Sequence, residues 1–145
     1  MSFFERIFQK IFKKNVPAKK KTWRRERGDA GEKFAADFLK KQCGMQILCR
    51  NFCAGKDEID IVATDSETLV FVEVKTRSEN DTRGAVFAVD ARKRAALRRA
   101  ADAYLHGLRE RPKSTRLDVV EVYVRESDGA MRAVLHRALS WRSRR

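Results

Sequence analysis

The sequence predicts a single α/β domain with a mixed β-sheet flanked by helices. Apolar residues recur at helical spacing in two segments and alternate in strand-like fashion in five others. Their order along the chain is helix, three strands, helix, two strands, which is typical of a layered α/β domain. The 145 residues suffice for one domain with a sizeable core, and no internal repeat is visible.

The first predicted helix, GDAGEKFAADFLKKQ, begins near Gly28 and ends at Gly44. Residues 45–52 read as a strand, and two further strands follow as DEIDIVATD and TLVFVEVKT. Because turn-forming residues at Asp65 and Ser66 separate these two strands, we expect them to form a hairpin. The remaining elements are a long helix and two strands, expected at 89–110, 116–124 and 131–139.

The chain carries a large excess of positive charge that is concentrated near its N-terminus. It has 33 Lys and Arg against 20 Asp and Glu, a net charge of +13. Residues 1–27 hold ten basic and two acidic side chains. We therefore divide the chain into a basic N-terminal arm and linker (1–27), a folded domain (28–140) and a basic tail (141–145). Such a charge balance favours polyanionic partners, meaning nucleic acid or an anionic membrane surface.

Within the arm, the apolar spacing of residues 3–14 predicts a short basic amphipathic helix. Two interpretations stay open: weak contact with a membrane surface or a partner, and an arm that frays or packs on the domain. The sequence has no apolar stretch long enough to span a membrane.

The cysteines indicate a reducing, cytoplasmic location. Cys43, Cys49 and Cys53 are odd in number and do not form a disulfide framework. They have no histidine nearby in the sequence, so we expect them to be core or surface residues rather than zinc ligands.

The predicted hairpin concentrates charge in apolar strands. By alternation, Ile59, Ile61 and Ala63 should share one face, with Glu58, Asp60 and Val62 on the other. In the next strand Leu69, Phe71, Glu73 and Lys75 share a face. The hairpin register places Asp60 roughly opposite Phe71–Glu73, so carboxylates and a lysine gather at one end of an otherwise apolar surface.

Two explanations fit this cluster. A cross-strand salt bridge from Asp60 or Glu58 to Lys75 accounts for one acid and one base. It leaves an excess of acids, and clustered carboxylates repel one another unless a cation is present. Mg²⁺ takes oxygen ligands, commonly one or two carboxylates together with substrate phosphates, and a neighbouring lysine can hold a water or steady phosphate charge. The spacing therefore suggests metal-dependent phosphodiester chemistry.

The pattern D-x(12)-E-x-K, formed by Asp60, Glu73 and Lys75, resembles the PD-(D/E)xK nuclease signature. The strings GDAGEKFAADFL, RNF, DEIDIV, LVFVEVKTRS and RLDVVEV, in this order, resemble the YraN-type family of small bacterial proteins related to Holliday junction resolvases. The resemblance covers roughly residues 27–125.

The resemblance implies a restriction-endonuclease-like core and a Mg²⁺- or Mn²⁺-dependent endodeoxyribonuclease, without a small-molecule cofactor. It implies that Asp60, Glu73, the Val74 carbonyl and Glu32 hold the metal, and that Lys75 orients the attacking water. It also implies DNA, including branched DNA, as the partner, and a homodimer. One departure from the family pattern is Asp57, which stands where a glycine is usual. This extra acid either perturbs the metal site or lies on the surface.

Basic residues flank the proposed site and are expected to contact the phosphate backbone. The nucleic-acid-binding candidates are Arg50, Arg77, Arg92, Lys93 and Arg94. The alternative for the helical members is a solvated face with Asp90 and Asp102 as counter-charges. The sequence thus predicts a resolvase-like endonuclease. The alternative function is a non-catalytic nucleic-acid-binding module, anchored to a membrane or partner through its N-terminal helix.

Overall fold

The structure is a computed structural model that describes residues 23–81, 89–139 and 141. Five strands form one sheet in the order β1-β2-β3-β4-β5. Helix α1 precedes the sheet, and helix α2 connects β3 to β4. The elements are α1 (Trp23–Lys41), β1 (Gln46–Ala54), β2 (Asp57–Asp65), β3 (Thr68–Ser78), α2 (Ala91–His106), β4 (Ser114–Val124) and β5 (Met131–His136).

The sheet is mixed, as the sequence predicted. Strands β1, β2 and β3 form an antiparallel meander, and the β2–β3 hairpin turns between Asp65 and Thr68. Strand β4 runs parallel to β3, and β5 returns antiparallel to β4. Because parallel neighbours need a crossover connection, α2 crosses one face of the sheet between β3 and β4. With α1 on the other face, the result is the layered architecture of a restriction-endonuclease-like core.

Two apolar clusters cover the two faces of the sheet. On the α1 face, Ala35 and Leu39 pack against strand residues that include Val70, Val72 and Val120. On the α2 face, Leu97 and Tyr104 pack in a second cluster. There the ring of Tyr104 meets those of Phe52 and Phe71 edge-on, at centroid distances of 5.0 and 5.8 Å. These clusters fix both helices on the sheet.

The predicted alternation fails at one position of β2. Ile61 and Ala63 lie in the α1-side cluster as expected, but Ile59 lies with Val62 in the α2-side cluster. The pairing of β2 with β3 stops at Ile61 and Val72, while β2 stays paired with β1 as far as Asp57. Once β2 is held by β1 alone, it no longer follows the pleat of β3, so the expectation for Ile59 was wrong.

The two strands therefore separate beyond Ile61 and Val72 and leave a space between them, here called the strand gap. Asp60 of β2 and residues 73–75 of β3 border it. A residue's N–H and C=O point to the same edge of a strand, so Val74, two residues beyond Val72, directs both groups toward β2. The strand gap is the part of the fold that positions the candidate site.

The element boundaries differ from the sequence expectations mainly at the helices. Helix α1 begins at Trp23 rather than near Gly28. Helix α2 spans Ala91–His106 rather than 89–110, because the Asp90 side chain caps it by accepting a hydrogen bond from the Lys93 N–H at 2.8 Å. Trp141, assigned to the tail, packs on the α2-side cluster. The amphipathic helix predicted for residues 3–14 lies outside the described residues.

Gly31 allows α1 to approach β3 closely beside the strand gap. A Cβ atom at this position would lie 2.0 Å from the Thr76 Oγ1 and 3.1 Å from the Thr76 Cβ. Rotation of the threonine side chain leaves its Cβ 3.1 Å from the added atom, which is still tighter than ordinary van der Waals contact. Gly31 therefore sets the distance between α1, which carries Glu32, and β3.

We predict that Gly31→Ala destabilises the protein by about 1–3 kcal/mol, because the added methyl group forces α1 away from β3. Gly28→Ala is the matched control: it lies in the same helix, and a Cβ there would meet no described atom within 4 Å. That substitution should stabilise by up to about 1 kcal/mol through helix propensity. Urea unfolding measures both, and equal effects of the two changes would contradict the close-packing role of Gly31.

Candidate active site

Asp60 occupies the point at which β2 leaves β3. Its Oδ2 accepts a hydrogen bond of 2.7 Å from the Val74 N–H, which has lost its strand partner there. Burial and the nearby negative charge of Glu73 together raise the pKa of the Asp60 carboxyl to about 8. The hydrogen bond from Val74 and the positive charge of Lys93 act against this shift.

Glu73 is the most enclosed acid of the strand gap, with a side chain 3% exposed. Two lysines from different elements contact it: Lys75 Nζ lies 2.9 Å from Oε1, and Lys93 Nζ of α2 lies 3.3 Å from Oε2. Oε2 accepts no hydrogen bond of good geometry from any described group, so Lys93 holds it by charge alone. The acid and base of the LVFVEVKTRS strand thus form a direct ion pair.

Glu32 approaches from the other side of the sheet, on α1. Its Oε2 lies 3.8 Å from Arg50 Nη2. The Asn51 side-chain amide, oriented with its nitrogen toward the acids, donates to Glu32 at 2.8 Å and to Glu58 at 3.2 Å. Burial raises the pKa of Glu32, and Arg50 opposes this effect. The charges of Glu58 and Glu73 also raise it, so Glu32 lies within electrostatic reach of the strand gap.

The donor atoms at the strand gap suit a hard divalent cation that also binds substrate. No three His, Cys, Asp or Glu side chains converge closely enough to hold a metal within residues 23–81, 89–139 and 141. Mg²⁺ does not need such a set, because it commonly uses one or two carboxylates and completes its shell with water and phosphate oxygens. Asp60 and Glu73 supply the two carboxylates, and the buried Glu73 Oε2 has an unused acceptor position.

The predicted basic residues have different surroundings. Lys93 forms an ion pair with Glu73, and Arg50 forms one with Glu32. Arg77 is only 16% exposed, with its Nε 3.6 Å from Glu121. Arg94 Nε donates to the Val89 carbonyl at 2.8 Å. Arg92 is exposed on the first turn of α2.

Asp57, the departure from the family pattern, is paired with Arg99 of α2. Its carboxylate accepts two hydrogen bonds from Arg99, at 2.8 Å from Nε and 3.0 Å from Nη2. The Arg99 hydrogen bond lowers the pKa of Asp57. The Asp57 side chain is only 11% exposed, and the pair joins the middle of α2 to the start of β2.

A second polar cluster was not anticipated from the sequence. Glu121 of β4 is buried, and its Oε2 accepts a hydrogen bond of 2.8 Å from the Tyr123 hydroxyl and lies 3.3 Å from His136 Nε2. It neighbours Lys75 in the parallel β3–β4 register. The signal was present as an acid inside the apolar strand string DVVEVYV, which resembles VFVEVK in pattern. Asn51, which contacts Glu32 and Glu58, was also missed.

A protein-family model matches most of the domain. The family model described as "Uncharacterised protein family UPF0102" matches residues 31–122, which contain every acid and lysine of the strand gap. The chain belongs to the UPF0102 family. This is the YraN-type group that its motifs resemble.

Relatives in the family cover most of the domain. A "UPF0102 protein" of Caldicellulosiruptor saccharolyticus is 41% identical over 101 residues, which are 70% of this chain and 85% of the relative. One of Moorella thermoacetica is 45% identical over 101 residues, covering 70% and 83%. One of Paenarthrobacter aurescens is 45% identical over 95 residues, covering 66% and 78%. These names state no activity, and the family match begins after the basic N-terminal arm.

Two further features bear on this chain as a UPF0102 protein. Neither described helix has the length and apolar character that a membrane crossing requires. Cys43, Cys49 and Cys53 are free thiols, and burial raises the pKa of Cys49 to about 12. A raised pKa keeps the Cys49 thiol protonated, which disfavours it as a metal ligand.

We predict that Asp60→Asn changes how stability depends on pH. Folded Asp60 keeps its proton up to about pH 8, whereas an unfolded aspartate loses it near pH 4. The folded state then binds the extra proton between these values, so wild-type stability falls as pH rises through this window. Asparagine keeps the acceptor for Val74 but does not titrate. As pH rises through this window, the stability of the variant relative to wild type should therefore increase, by up to about 1.4 kcal/mol per pH unit.

The measurement is urea unfolding in EDTA at pH 5 and pH 8.5. Asp37→Asn, at an exposed position of α1, controls for the change in net charge. A stability difference between Asp60→Asn and wild type that is the same at both pH values would contradict the assignment.

Proposed function

We propose that this UPF0102 protein is a metal-dependent endonuclease of the Holliday junction resolvase-like type, which cleaves DNA phosphodiesters. The observation that carries the proposal is the pairing of two adjacent, poorly solvated carboxylates, Asp60 and Glu73, with a lysine 2.9 Å from one of them. A structural salt bridge needs one acid. Two acids in one gap, one of them with a raised pKa, are costly to folding and favour a site built for a cation.

In this proposal Asp60, Glu73 and the Val74 carbonyl hold Mg²⁺ or Mn²⁺, with Glu32 contributing from α1. The metal would supply positive charge to the phosphate oxygens and lower the pKa of the attacking water. Asp60 is held in place by its hydrogen bond to Val74, and Glu73 by its two lysines. The support for Val74 is its position, because the same residue that binds Asp60 directs its carbonyl toward the same edge.

Lys75 orients the attacking water and stabilises negative charge on the phosphate. Its ammonium group is fixed by Glu73 but its side chain remains 31% exposed, so it can reach a substrate at the gap. A lysine in such a position donates hydrogen bonds and places positive charge where negative charge develops.

The basic residues around the gap position the DNA backbone. Arg50, Arg92 and Lys93 border it or lie on the nearby turn of α2. Arg77 and Arg94 belong to the proposal as further backbone contacts, although Arg77 is largely buried beside Glu121. A net charge of +13 supports a polyanionic partner. A preference for branched DNA, a homodimer and a cytoplasmic location belong to the proposal through the family resemblance and the free thiols.

The alternative is a nucleic-acid-binding module without catalysis, anchored to a membrane or partner through residues 3–14. The observation that favours it is the charge balance of Glu73, whose two oxygens face two lysines, as they would in a purely structural ion-pair cluster. Such a module would bind DNA with a steep dependence on salt and no dependence on Mg²⁺.

We predict that Glu73→Ala lowers Mg²⁺-dependent cleavage of labelled four-way junction, flap, single-stranded or duplex DNA by at least about 100-fold. DNA binding in EDTA should be equal or tighter, because a negative charge is removed. Glu67→Ala is the matched control: that glutamate is exposed at the β2–β3 turn, at the other end of the hairpin.

Cleavage is measured in gels with Mg²⁺, Mn²⁺ or EDTA. Binding without cleavage, equal in wild type and Glu73→Ala, would contradict the nuclease proposal and favour the binding module.

A further inference from the structure

The Glu73 carboxylate has two cationic partners that differ in how firmly they are held. Lys75 lies two residues along the same strand, and its Nζ is 2.9 Å from Oε1. Lys93 comes from α2, and its Nζ is 3.3 Å from Oε2, without the geometry of a hydrogen bond. The Lys93 side chain is 37% exposed. Lys93 is therefore the looser of the two contacts and the one that can leave toward solvent.

The position of Lys93 coincides with the acceptor that a cation would need. Glu73 Oε2 is the buried oxygen without a hydrogen bond from any described residue, and Asp60 interacts electrostatically with the same carboxylate. A divalent cation at this oxygen would stand beside an ammonium group of like charge. Both cannot remain on one carboxylate oxygen at low cost, because like charges at contact distance repel strongly in a partly buried site.

Lys93 has the mobility that an exchange requires. Its backbone is fixed, since its N–H is held by the Asp90 cap at 2.8 Å. Its ammonium group lies at the end of a flexible four-carbon chain that can swing without moving the helix. Released from Glu73, it remains on the first turn of α2, at the border of the strand gap.

We propose that Lys93 is an exchangeable counter-ion of the site: it occupies Glu73 Oε2 when no divalent cation is bound, and the cation displaces it so that it can contact a DNA phosphate. This inference rests on the proposed metal site. Lys93 would contact Glu73 before the metal binds and a DNA phosphate afterwards, so metal binding and DNA binding are coupled. By reciprocity, metal should raise the affinity for DNA, and DNA should raise the affinity for metal, through Lys93.

Arg92 provides a matched control for this role. It is the preceding residue on α2, carries the same charge and is exposed, and it makes no ion pair with the described parts of the chain. Lys93→Met and Arg92→Met therefore remove one positive charge each from the same turn. The change in net charge is the same in both variants, but only the first removes the competitor from Glu73.

The first measurement is Mn²⁺ binding to the full chain without DNA, followed by the electron paramagnetic resonance signal of free Mn²⁺ at pH 8. Lys93→Met should bind Mn²⁺ at least about fivefold more tightly than wild type. Arg92→Met should stay within about twofold of wild type. Lys93→Gln serves as a second variant, and circular dichroism confirms that each variant is folded.

The second measurement is affinity for duplex DNA in Ca²⁺ and in EDTA. Wild type should bind DNA more tightly in Ca²⁺ than in EDTA. Arg92→Met removes a charge that contacts DNA, so its affinity should be lower in both buffers, but the ratio between them should stay that of wild type. In Lys93→Met this ratio should fall to about one. Wild type that binds Mn²⁺ with the same affinity as Lys93→Met would overturn the exchange and leave the nuclease proposal standing. Wild type that binds no Mn²⁺, with or without DNA, would overturn both.

Discussion

The hydrogen bond between the Asp60 carboxylate and the Val74 N–H is the interaction on which the rest of the site depends. Where β2 and β3 separate, the Val74 N–H loses its strand partner, and an unpaired N–H at the edge of a core is costly. Asp60 replaces that partner and is thereby fixed next to Glu73. Two acids in a poorly solvated gap then require positive charge, and Lys75 and Lys93 supply it from two different elements.

Other buried acids of the domain show what a structural role looks like here. Asp118 is fully buried, and Arg116 donates to both of its oxygens while the Ala138 N–H donates to one. Glu121 likewise receives a hydrogen bond from Tyr123. Among the buried acids that the structure describes, Glu73 is the one with a fully enclosed oxygen that accepts no hydrogen bond. This difference from Asp118 supports a functional interpretation of Glu73, because the large majority of buried polar atoms in proteins are hydrogen-bonded.

Much of this arrangement was predictable from the sequence. The hairpin followed from two alternating strands around Asp65, and the predicted register placed Asp60 roughly opposite Phe71–Glu73. The observed pairing ends one residue before Asp60, at Ile61 and Val72. The face of Ile59 was not predictable, because it depends on where two strands part, and strand pairing is a tertiary property. The contact between Lys93 and Glu73 was missed for a similar reason: it joins a helix to a strand, and only the docking of α2 sets that distance.

The central claim is that the strand gap between Asp60 and Val74 holds a divalent cation. Crystals of the protein soaked in Mn²⁺, measured at a wavelength where manganese scatters anomalously, test it most directly. The account predicts one strong anomalous peak within coordination distance of both the Asp60 and Glu73 carboxylates. A soaked crystal with no peak there, in which both lysines still contact Glu73, would contradict it.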